Sequence, residues 1–486
     1  MATFEEVKKY IDSEYKLYIG GEWVNAVDEE TFDVYCPSNG EKLATCQKGN
    51  EKDVNRAVEA AWKAFPAWSK MGQIERSKLL YKIADALDAN MDKVNWAERL
   101  EAGVRAGMVS DHFRYAGSAI CASEGVANHT VDHRINMVLQ EPIGVVGQIT
   151  PWNAPAGMAC MKLAPALATG NCIVYRPSKE TPISTLIMAK IIGELLPPGV
   201  LNVVTGDSAT CGQAILDHPG ILKISFTGST ETGINVAIAA AKKLIPATLE
   251  LGGKSANIFF DDCDVKRALT GFYMGIYTMN GQVCAAGSRV LVQEGIYDMF
   301  VDLAVNMSKG LKVGPVWDDE CKIYPLITQK HLKQVLNYVE IGKQEGARVL
   351  CGGIRLTEGD LAKGNFMAPT VIEATNDMRI AQEEIFGPVP VIIKFRTEEE
   401  AIAIANDSQY GLTGGVWTKD ISKALRVATG VRTGSMWVNT YLQLSPGYPF
   451  GGYKKSGLGR EIHKSTLEHY TQKKSIVINT SETLPV

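Results

Sequence analysis

Residues 222–242 read LKISFTGSTETGINVAIAAAK. The alternating apolar residues of 222–226 predict a strand, and the segment 231–242 predicts a helix. Gly228 and Gly233 bracket the start of that helix, so backbone N–H groups and the positive end of the helix would face an anion. On the glycine pair alone, tight packing between the strand and the helix is the preferred alternative.

The same alternation of strand and helix extends in both directions along the chain. The predicted elements are strands at 172–175, 201–204, 247–251, 256–260 and 435–439, and helices at 182–196, 209–216 and 265–279. Alternation of this kind predicts an α/β fold with mostly parallel sheets, covered by helices on both faces. In such sheets ligands bind at the carboxyl ends of the strands, which is where residues 227–229 lie.

Composition narrows the class of protein. The chain has 486 residues, 45% of them hydrophobic and 21% charged, which predicts a soluble globular protein of two or three domains. A net charge of −4 argues against nucleic acid or a membrane surface as a partner. The acidic N-terminus has no signal-peptide pattern, so we expect a cytoplasmic protein. The ten cysteines show neither zinc spacing nor a Cys-x-x-Cys pair, so we expect no metal site and no disulfide framework.

One cysteine stands apart from the others because of its neighbours. Cys284 lies among small residues in GQVCAAGSR at 281–289, where a substrate could reach a thiol. The reactive form is the thiolate, so the thiol needs a base or a positive field nearby. Glu250, at a predicted strand end, offers a carboxylate, and Asn153 offers an amide donor. Taken singly, Glu250 also fits a surface carboxylate and Asn153 a turn residue.

These residues belong to six motifs through which the chain resembles the aldehyde dehydrogenase superfamily. The motifs are PWN at 151–153, FTGST at 226–230, ELGGK at 250–254, GQVC at 281–284, EIFGP at 384–388 and PFGG at 449–452. They follow the order and the approximate spacing of the family, and the likeness runs from about residue 18 to residue 477. Near residues 98–115, a segment of helical composition, relatives usually carry a Gly-Lys-Pro turn and several more residues, so we infer a local deletion.

The resemblance implies a division of the α/β chain into three parts. A Rossmann-like dinucleotide-binding domain would comprise residues 1–125 and 143–252, and an α/β catalytic domain residues 253–450. Residues 126–142 and 469–486 would form a small β oligomerisation element. The tail at 476–478 is β-prone and forms an edge that needs a partner. In the family such a strand pairs with a neighbouring subunit, which implies a homodimer or a homotetramer.

The resemblance also implies a mechanism, the oxidation of an aldehyde to a carboxylic acid with NAD(P)+. Cys284 would attack the aldehyde, and the Asn153 amide and the Cys284 N–H would hold the resulting oxyanion. After hydride transfer, Glu250 would activate the water that hydrolyses the thioester. Lys162 matches a family lysine suggested to relay protons with a C-terminal glutamate, here Glu461. A lysine with a buried stem and a solvated head is the simpler alternative.

For the cofactor, the resemblance places the pyrophosphate near Ser229, the nicotinamide ribose on Glu384, and Phe386 beside the ring. The predicted cofactor-binding residues are Trp152, Arg176, Ser178, Lys179, Gly228, Ser229, Gly233, Leu251, Glu384 and Phe386. The family commonly has Lys-Pro-x-Glu where this chain has RPSK at 176–179. Lys179 and Arg176 would attract a 2′-phosphate, which predicts tolerance of NADP beside NAD. Alternatively, both cations are solvated, or Glu180 restores NAD binding.

Substrate choice and competing activities remain open at this level. Family members that take aromatic or quaternary-ammonium aldehydes usually place aromatic residues where this chain has Ala154, Met158 and Met161. A cage for a cation is therefore poorly supplied. A coenzyme A-acylating enzyme typically lacks the glutamate at 250, and a catalytically idle relative would have lost residues of the catalytic set. A cysteine hydrolase would need a histidine partner, and none of the seven histidines lies inside the motifs.

Overall fold

The computed structural model describes residues 2–482. Residues 1 and 483–486, which the predicted segments 1–125 and 469–486 include, lie outside this range. The helices are α1 (Phe4–Lys8), α2 (Glu51–Trp68), α3 (Gln73–Ala89), α4 (Met91–Ala102), α5 (Val109–Cys121), α6 (Pro155–Ala168), α7 (Ile183–Gly193), α8 (Gln213–Asp217), α9 (Thr230–Lys243), α10 (Val265–Ile276), α11 (Tyr297–Gly310), α12 (Gln329–Gln344), α13 (Arg379–Gln382), α14 (Glu398–Asn406) and α15 (Ile421–Gly430). None of these helices is both long enough and apolar enough to cross a membrane.

The strands are paired into five sheets within the described range. They are β1 (Glu14–Tyr15), β2 (Leu17–Ile19), β3 (Glu22–Val24), β4 (Thr31–Tyr35), β5 (Lys42–Gln47), β6 (Val126–Val131), β7 (Arg134–Pro142), β8 (Val145–Ile149), β9 (Cys172–Arg176), β10 (Leu201–Val203), β11 (Lys223–Thr227), β12 (Ala247–Glu250), β13 (Ala256–Phe259), β14 (Arg289–Gln293), β15 (Arg348–Cys351), β16 (Val371–Glu373), β17 (Val391–Phe395), β18 (Tyr410–Gly411), β19 (Thr413–Trp417), β20 (Ser435–Val438), β21 (Tyr453–Lys454), β22 (Gly457–Leu458) and β23 (Thr471–Asn479).

The larger of the two main sheets has eight strands in the order β22-β12-β11-β8-β9-β10-β2-β3. Its five central strands run parallel, and antiparallel strands close both edges. The chain enters most central strands from a helix, as the alternation predicts. The register places Thr227 beside Glu250, so the ends of β11 and β12 bring two predicted motifs together.

The second main sheet has seven strands in the order β15-β16-β17-β14-β13-β19-β20. All of its pairs are parallel except the one between β15 and β16. Strand β14 begins at Arg289, five residues after Cys284, so the nucleophile candidate lies on the loop that enters the centre of this sheet. The two sheets therefore contribute the two halves of the predicted catalytic set.

A third, antiparallel sheet stands apart and consists of β23, β7 and β6. The tail strand pairs with β7 of the same chain along its whole length, from Thr471 opposite Pro142 to Asn479 opposite Arg134. Every residue of β6 is exposed, and most of β23 is exposed as well. In the described part of the chain β23 has a strand on one side only, so the contact with a neighbouring subunit stays a prediction.

Several predicted elements differ from those observed. The predicted helix at 265–279 is wrong at its end, because α10 stops at Ile276 and both Met279 and Asn280 adopt positive φ angles. The helical segment 98–115 is interrupted at 103–108, where Gly103 takes a left-handed conformation and ends α4. The predicted helix at 209–216 begins as a π-helical turn at Ser208–Gly212. Strand β19 and helix α15 were absent from the prediction.

Candidate active site

A cavity of about 250 Å³ lies between the two main sheets. Its lining contains the predicted residues Trp152, Asn153, Gly228, Ser229, Glu250, Leu251, Cys284, Glu384 and Phe386, together with Pro151, Met158, Thr227, Gly252, His331 and Gln334. Five other predicted residues lie outside this lining: Lys162, Arg176, Ser178, Lys179 and Gly233. The structure thus gathers residues that are up to 235 positions apart along the chain around one half-buried thiol.

The loop that carries Cys284 is built on a left-handed turn. Met279, Asn280 and Gly281 have φ angles of 51°, 57° and 67°. The Asn280 side chain accepts a hydrogen bond from the Tyr324 N–H (2.7 Å) and donates to the Pro325 carbonyl (3.3 Å). These contacts hold a turn that the two non-glycine residues adopt at a cost.

Two further contacts fix the loop at Gln282, two residues before the thiol. The Gln282 side chain accepts from the Ile327 N–H at 3.0 Å, and its carbonyl accepts from the Asn153 amide at 2.8 Å. A Cβ atom on Gly253 would lie 2.3 Å from the Cys284 carbonyl oxygen, so the backbone of the ELGGK motif approaches as only glycine allows. Asn153 is therefore held against the Cys284 loop, with one amide N–H left for another acceptor.

The electrostatic setting of Cys284 favours the neutral thiol. Burial raises the pKa of the Cys284 thiol, and the nearby carboxyl groups of Glu384 and Glu250 raise it further. The sequence predicted a base or a positive field near this thiol, and no cationic side chain is among the groups that shift its pKa. Any activation of the sulfur must therefore come from a base that takes its proton or from a cationic ligand in the cavity.

Glu250 ends β12 with its side chain buried against the C-terminal part of the chain. Neither carboxylate oxygen has a hydrogen-bond partner among the described residues. Burial raises the pKa of Glu250 well above its usual value, the charge of Glu461 raises it further, and Lys162 lowers it. The contact predicted between Lys162 and Glu461 is present, at 2.6 Å and fully buried. Its part in proton transfer stays a prediction.

Glu384 faces Cys284 from the seven-stranded side of the cavity. Its carboxylate accepts a hydrogen bond from the Gly253 N–H at 2.9 Å. A Cβ atom on Gly252 would lie 2.4 Å from one of its oxygens, so the second glycine of the motif is also required by close approach. Burial raises the pKa of Glu384 to about 7 against the opposing effects of the Gly253 N–H and Lys254.

His331 is a cavity residue that the motifs did not reveal. A ring nitrogen of His331 lies 2.7 Å from the carbonyl oxygen of Phe386, and burial lowers the pKa of the imidazole. Phe386 has a φ of 60°, and Trp152 contacts both rings edge-on with centroids 5.3 Å apart. The neutral His331 ring can donate to that carbonyl and hold Phe386 in its left-handed conformation. Its position three residues into α12 carries no motif in the sequence.

The start of α9 forms another wall of the cavity. Ser229 caps the helix by accepting a hydrogen bond from the Thr232 N–H at 3.2 Å. A Cβ atom on Gly233 would lie 2.3 Å from Leu251, so this glycine lets α9 pack on the strand end, as the packing alternative predicted. The Thr227 hydroxyl is buried without a described partner. The two interpretations of the glycine pair, anion binding and tight packing, are therefore compatible. Close packing directs the start of the helix toward the cavity.

Three of the predicted cofactor-binding residues lie outside the lining of the active-site cavity: Arg176, Ser178 and Lys179. The Arg176 guanidinium is buried and donates to the Gly206 carbonyl through two nitrogens, at 2.8 and 3.2 Å, so its fork is already engaged. The Ser178 hydroxyl donates to the Glu180 carboxylate. Lys179 is exposed and lines a second cavity of about 420 Å³ together with Glu180. Of the two cations, Lys179 is the one free to meet a ligand phosphate.

Two carboxylates on α4 position the helices that lead away from the site. Glu98 accepts a hydrogen bond from the Ala156 N–H at 3.3 Å, at the start of α6, where Ala154 has a φ of 73° and supplies no side-chain cap. Glu101 accepts from the Ser184 and Ile183 N–H groups at 2.8 and 2.7 Å, at the start of α7. Carboxyl oxygens that accept hydrogen bonds from the free N–H groups at a helix start stabilise the helix. Glu98 thereby holds the helix that begins two residues after Asn153.

Comparison with known proteins agrees with this arrangement. The model of the aldehyde dehydrogenase family matches residues 23–476. The chain is 42% identical over 480 residues to an acetaldehyde dehydrogenase from Pseudomonas aeruginosa, covering 96% of this chain and 95% of that one. It superposes with a TM-score of 0.96 on a betaine aldehyde dehydrogenase from Staphylococcus aureus crystallised with NAD+, at 38% identity, covering 99% of this chain and 97% of the other.

A candidate aldehyde dehydrogenase from Burkholderia cenocepacia gives the same TM-score of 0.96 at 40% identity, covering 98% of this chain and 99% of that one. The resemblance drawn from the six motifs, the α/β fold class and the assignment as an enzyme of this kind are thus confirmed. NAD+ in the crystallised relative agrees with the predicted nicotinamide cofactor.

The pH dependence of stability tests the role of Glu98. Burial raises the pKa of Glu98 to about 8 in the folded protein, helped by the charge of Glu101. An unfolded chain releases this proton near pH 4.5, so between about pH 5 and pH 8 the folded state binds more protons and stability falls as pH rises. In Glu98→Gln we expect the free energy of unfolding to fall less steeply as pH rises, with a slope smaller by up to about 1.4 kcal/mol per pH unit. Guanidinium-induced unfolding at several pH values measures this slope.

The matched control is Glu75→Gln, which changes an exposed carboxylate on α3. The free energy of unfolding of this variant should depend on pH in the same way as that of the parent. If Glu98→Gln and the parent give parallel curves between pH 5 and pH 8, Glu98 titrates like a solvent-exposed group and the argument from burial is wrong.

Proposed function

Because the chain belongs to the aldehyde dehydrogenase family, we propose that it oxidises an aldehyde to a carboxylic acid, with Cys284 as the nucleophile and NAD+ or NADP+ as the hydride acceptor. One observation carries this proposal: a single cavity is lined by Cys284, Asn153 and Glu250. Each has the chemistry that one stage of the reaction needs.

The lining of the cavity has the chemistry that a nicotinamide dinucleotide needs. The N-terminal end of the 14-residue helix α9 lines it, which suits an anionic pyrophosphate. The buried Thr227 hydroxyl lacks a described partner, and the Glu384 carboxylate keeps one oxygen for a ribose hydroxyl. When bound, such a cofactor supplies a hydride acceptor and a positive charge. We infer that Ser229, Leu251 and Glu384 hold it, with Trp152, His331 and Phe386 enclosing the ring end.

In the first stage the Cys284 sulfur forms a bond to the aldehyde carbon, and Glu250 accepts the thiol proton. The carbonyl oxygen becomes an oxyanion. The free N–H of the Asn153 amide and the Cys284 backbone N–H donate to this oxygen, and the Gln282 carbonyl keeps the amide in place. Fixed donors of this kind stabilise developing charge without reorganising. Loss of hydride from the same carbon then leaves a thioester on Cys284.

In the second stage water attacks the thioester carbon while Glu250 takes a proton from it. The carbon–sulfur bond breaks, the acid leaves, and the sulfur takes up a proton that Glu250 returns, which regenerates the Cys284 thiol. A carboxyl group with a raised pKa suits a base that acts near neutral pH. Glu250 therefore handles two protons in each turnover, one from the thiol and one from water.

A small aliphatic aldehyde is the substrate class that the pocket supports best. Met158 lines the cavity, Met161 lies one turn further along α6, and Ala154 precedes the helix. Flexible thioether side chains adapt to aliphatic groups, whereas a quaternary ammonium group prefers several aromatic faces. The acetaldehyde named for the relative from Pseudomonas aeruginosa agrees with this choice.

We further propose that residues 1–125 and 143–252 bind the cofactor, that 253–450 form the catalytic domain, and that 126–142 and 469–486 mediate assembly into a homodimer or homotetramer. The separation of the two main sheets supports the first two assignments. Exposed apolar side chains on the third sheet, among them Val126, Ile135 and Val477, support the last. The cytoplasmic location stays a prediction.

The first test is reduction of NAD+ and of NADP+, side by side, with aliphatic, hydroxylated, aromatic and quaternary-ammonium aldehydes. We expect the highest kcat/KM with a short aliphatic aldehyde, measured by absorbance of the reduced cofactor. Product formation only when coenzyme A is added would favour the acylating alternative. No reduction by a folded protein that binds the cofactor would overturn the proposed activity.

Substitution of Glu250 distinguishes hydride transfer from thioester hydrolysis. Glu250→Gln should complete about one hydride transfer per active site, more slowly than the parent because the thiol has lost its proton acceptor. It should then turn over at least about 100-fold more slowly than the parent, because the thioester is not hydrolysed. Rapid-mixing measurement of the reduced cofactor shows both phases. Cys284→Ala is the matched control, which should bind the cofactor and give neither phase. Normal steady turnover of Glu250→Gln would show that another group activates the water.

The charge at position 179 tests the basis of cofactor choice. Lys179→Glu should raise KM for NADP+ about tenfold, because a carboxylate repels the 2′-phosphate and accepts hydrogen bonds from the ribose hydroxyls. KM for NAD+ should stay the same or fall. Lys93→Glu, which makes the same charge change on an exposed face of α4, serves as the control. An unchanged ratio of the two KM values in Lys179→Glu would mean that Lys179 is solvated in the complex.

A further inference from the structure

A cavity of about 220 Å³ lies at the base of the third sheet and shares no lining residue with the active-site cavity. Its walls come from the start of α3, the end of α5, the residue after α6 and the strands β7 and β23. Pro142 ends β7 and Thr471 begins β23, and the register sets these two residues opposite each other. The cavity therefore lies where the third sheet joins the rest of the molecule.

Arg76 is the one charged residue among the described residues that line this cavity. Its side chain is buried, with 6% of its surface exposed. The Nε atom donates to the Ala168 carbonyl at 2.8 Å, and Nη1 donates to the Met71 carbonyl. On one side the backbone of Gly170 approaches so closely that a Cβ atom there would lie 3.3 Å from Nη1. The backbone therefore holds the guanidinium in a fixed orientation at the cavity wall.

The positive charge of Arg76 has no counter-charge among residues 2–482. Two carbonyl oxygens satisfy N–H groups of the guanidinium but carry no net charge, and Nη2 has no hydrogen-bond partner in the described part of the chain. Burial lowers the pKa of Arg76, and no carboxylate opposes this shift. Because a buried charge without a partner destabilises a protein, this position calls for an anion that the chain itself does not supply.

The first turn of α3 adds backbone donors beside Arg76. Gly72 and Gln73 line the cavity, and Gly72 offers no side-chain cap to this helix of 17 residues. The N–H groups of Gln73, Ile74 and Glu75 have no hydrogen-bond partner among the described residues. The Glu75 carboxylate is exposed and pairs with Lys78 at 2.9 Å. Free N–H groups and the positive end of a long helix favour an anion in front of them.

The side of the cavity formed by the third sheet is polar and uncharged. The Gln140 side-chain oxygen on β7 accepts a hydrogen bond from the Thr471 hydroxyl at 3.1 Å. The Gln140 amide nitrogen therefore remains as a donor at the cavity wall. Ser69 and Ser123 also line the cavity and add two hydroxyl groups. Donors surround the cavity on the side of α3 and on the side of the sheet.

We propose that this cavity binds a small oxyanion, a carboxylate or a phosphate group, which Arg76 and the start of α3 hold against the base of the third sheet. The planar fork of a guanidinium matches two oxygens of such a group and neutralises its charge. A ligand at this position contacts α3 as well as β7 and β23. The proposal does not depend on the proposed oxidation of an aldehyde, since the two cavities have no residue in common.

Isothermal titration calorimetry with inorganic phosphate and, separately, with acetate tests the site, at constant ionic strength and with NAD+ present to fill the active-site cavity. We expect saturable binding of one anion per chain. Binding of phosphate alone assigns the site to phosphate groups, and binding of acetate alone assigns it to carboxylates. In Gln140→Glu the affinity should fall at least about tenfold, because the new carboxylate repels the anion. This variant keeps a side-chain oxygen for the Thr471 hydroxyl.

The matched control is Asn337→Asp, which makes the same change from amide to carboxylate on an exposed residue of α12 and should bind like the parent. Arg76→Lys, which keeps the positive charge but loses the fork, should also bind at least about tenfold more weakly. If Arg76→Lys does not fold, Gln140→Glu decides alone.

Thermal unfolding gives a second measurement. Phosphate excluded from protein surfaces raises the midpoint of every variant, but only a protein that binds the anion gains the additional increase from binding. We expect a larger rise in the parent and in Asn337→Asp than in Gln140→Glu. Absence of saturable binding by the folded parent, or equal affinities in the parent and in Gln140→Glu, would overturn the proposal.

Discussion

The left-handed turn at 279–281 is the constraint on which the active site depends. Two non-glycine residues, Met279 and Asn280, hold positive φ angles there, at a cost of about 1–3 kcal/mol each. The buried side chains of Asn280 and Gln282 offset this cost through hydrogen bonds to the segment 324–327. Because Asn153 also donates to the Gln282 carbonyl, one loop fixes both the sulfur and the amide that faces it. A right-handed turn at these residues would move the sulfur away from the amide.

Several titratable groups are buried at the active-site cavity and elsewhere in the core. Glu98, Glu250, Glu384, Lys162 and Lys223 are all removed from water, and their pKa values or partners reflect it. Burial of such groups costs stability unless each finds a partner, and several oxygens here have none among the described residues. The fold therefore gives up stability where titratable groups are buried, and it recovers stability in the apolar clusters that surround both sheets.

The features that could be predicted from the sequence are those that depend on local hydrophobic pattern and on motifs. The alternation along 172–251 predicts the strands of the larger sheet because buried strands and amphipathic helices have distinct periods, and Asn50 caps α2 as expected of its side chain. Sequence reasoning could not find His331 or the anchoring role of the Gln282 side chain. Both depend on contacts with residues 55 and 45 positions away along the chain. The helix at 265–279 was predicted too long because the left-handed turn is imposed by tertiary contacts, not by its own residues.

The anchoring of the turn also sets an order of events during biosynthesis. The hydrogen bonds that shape it come from backbone groups at Tyr324 and Ile327, 44 and 45 residues after the side chains they reach. When Cys284 leaves the ribosome, that segment has not yet been made, so the cysteine is an unremarkable thiol on a nascent chain. Its reactive setting exists only after the later segment has docked. The position of the sulfur beside the Asn153 amide is therefore acquired only when the chain has been extended to residue 327, and not when the loop itself is made.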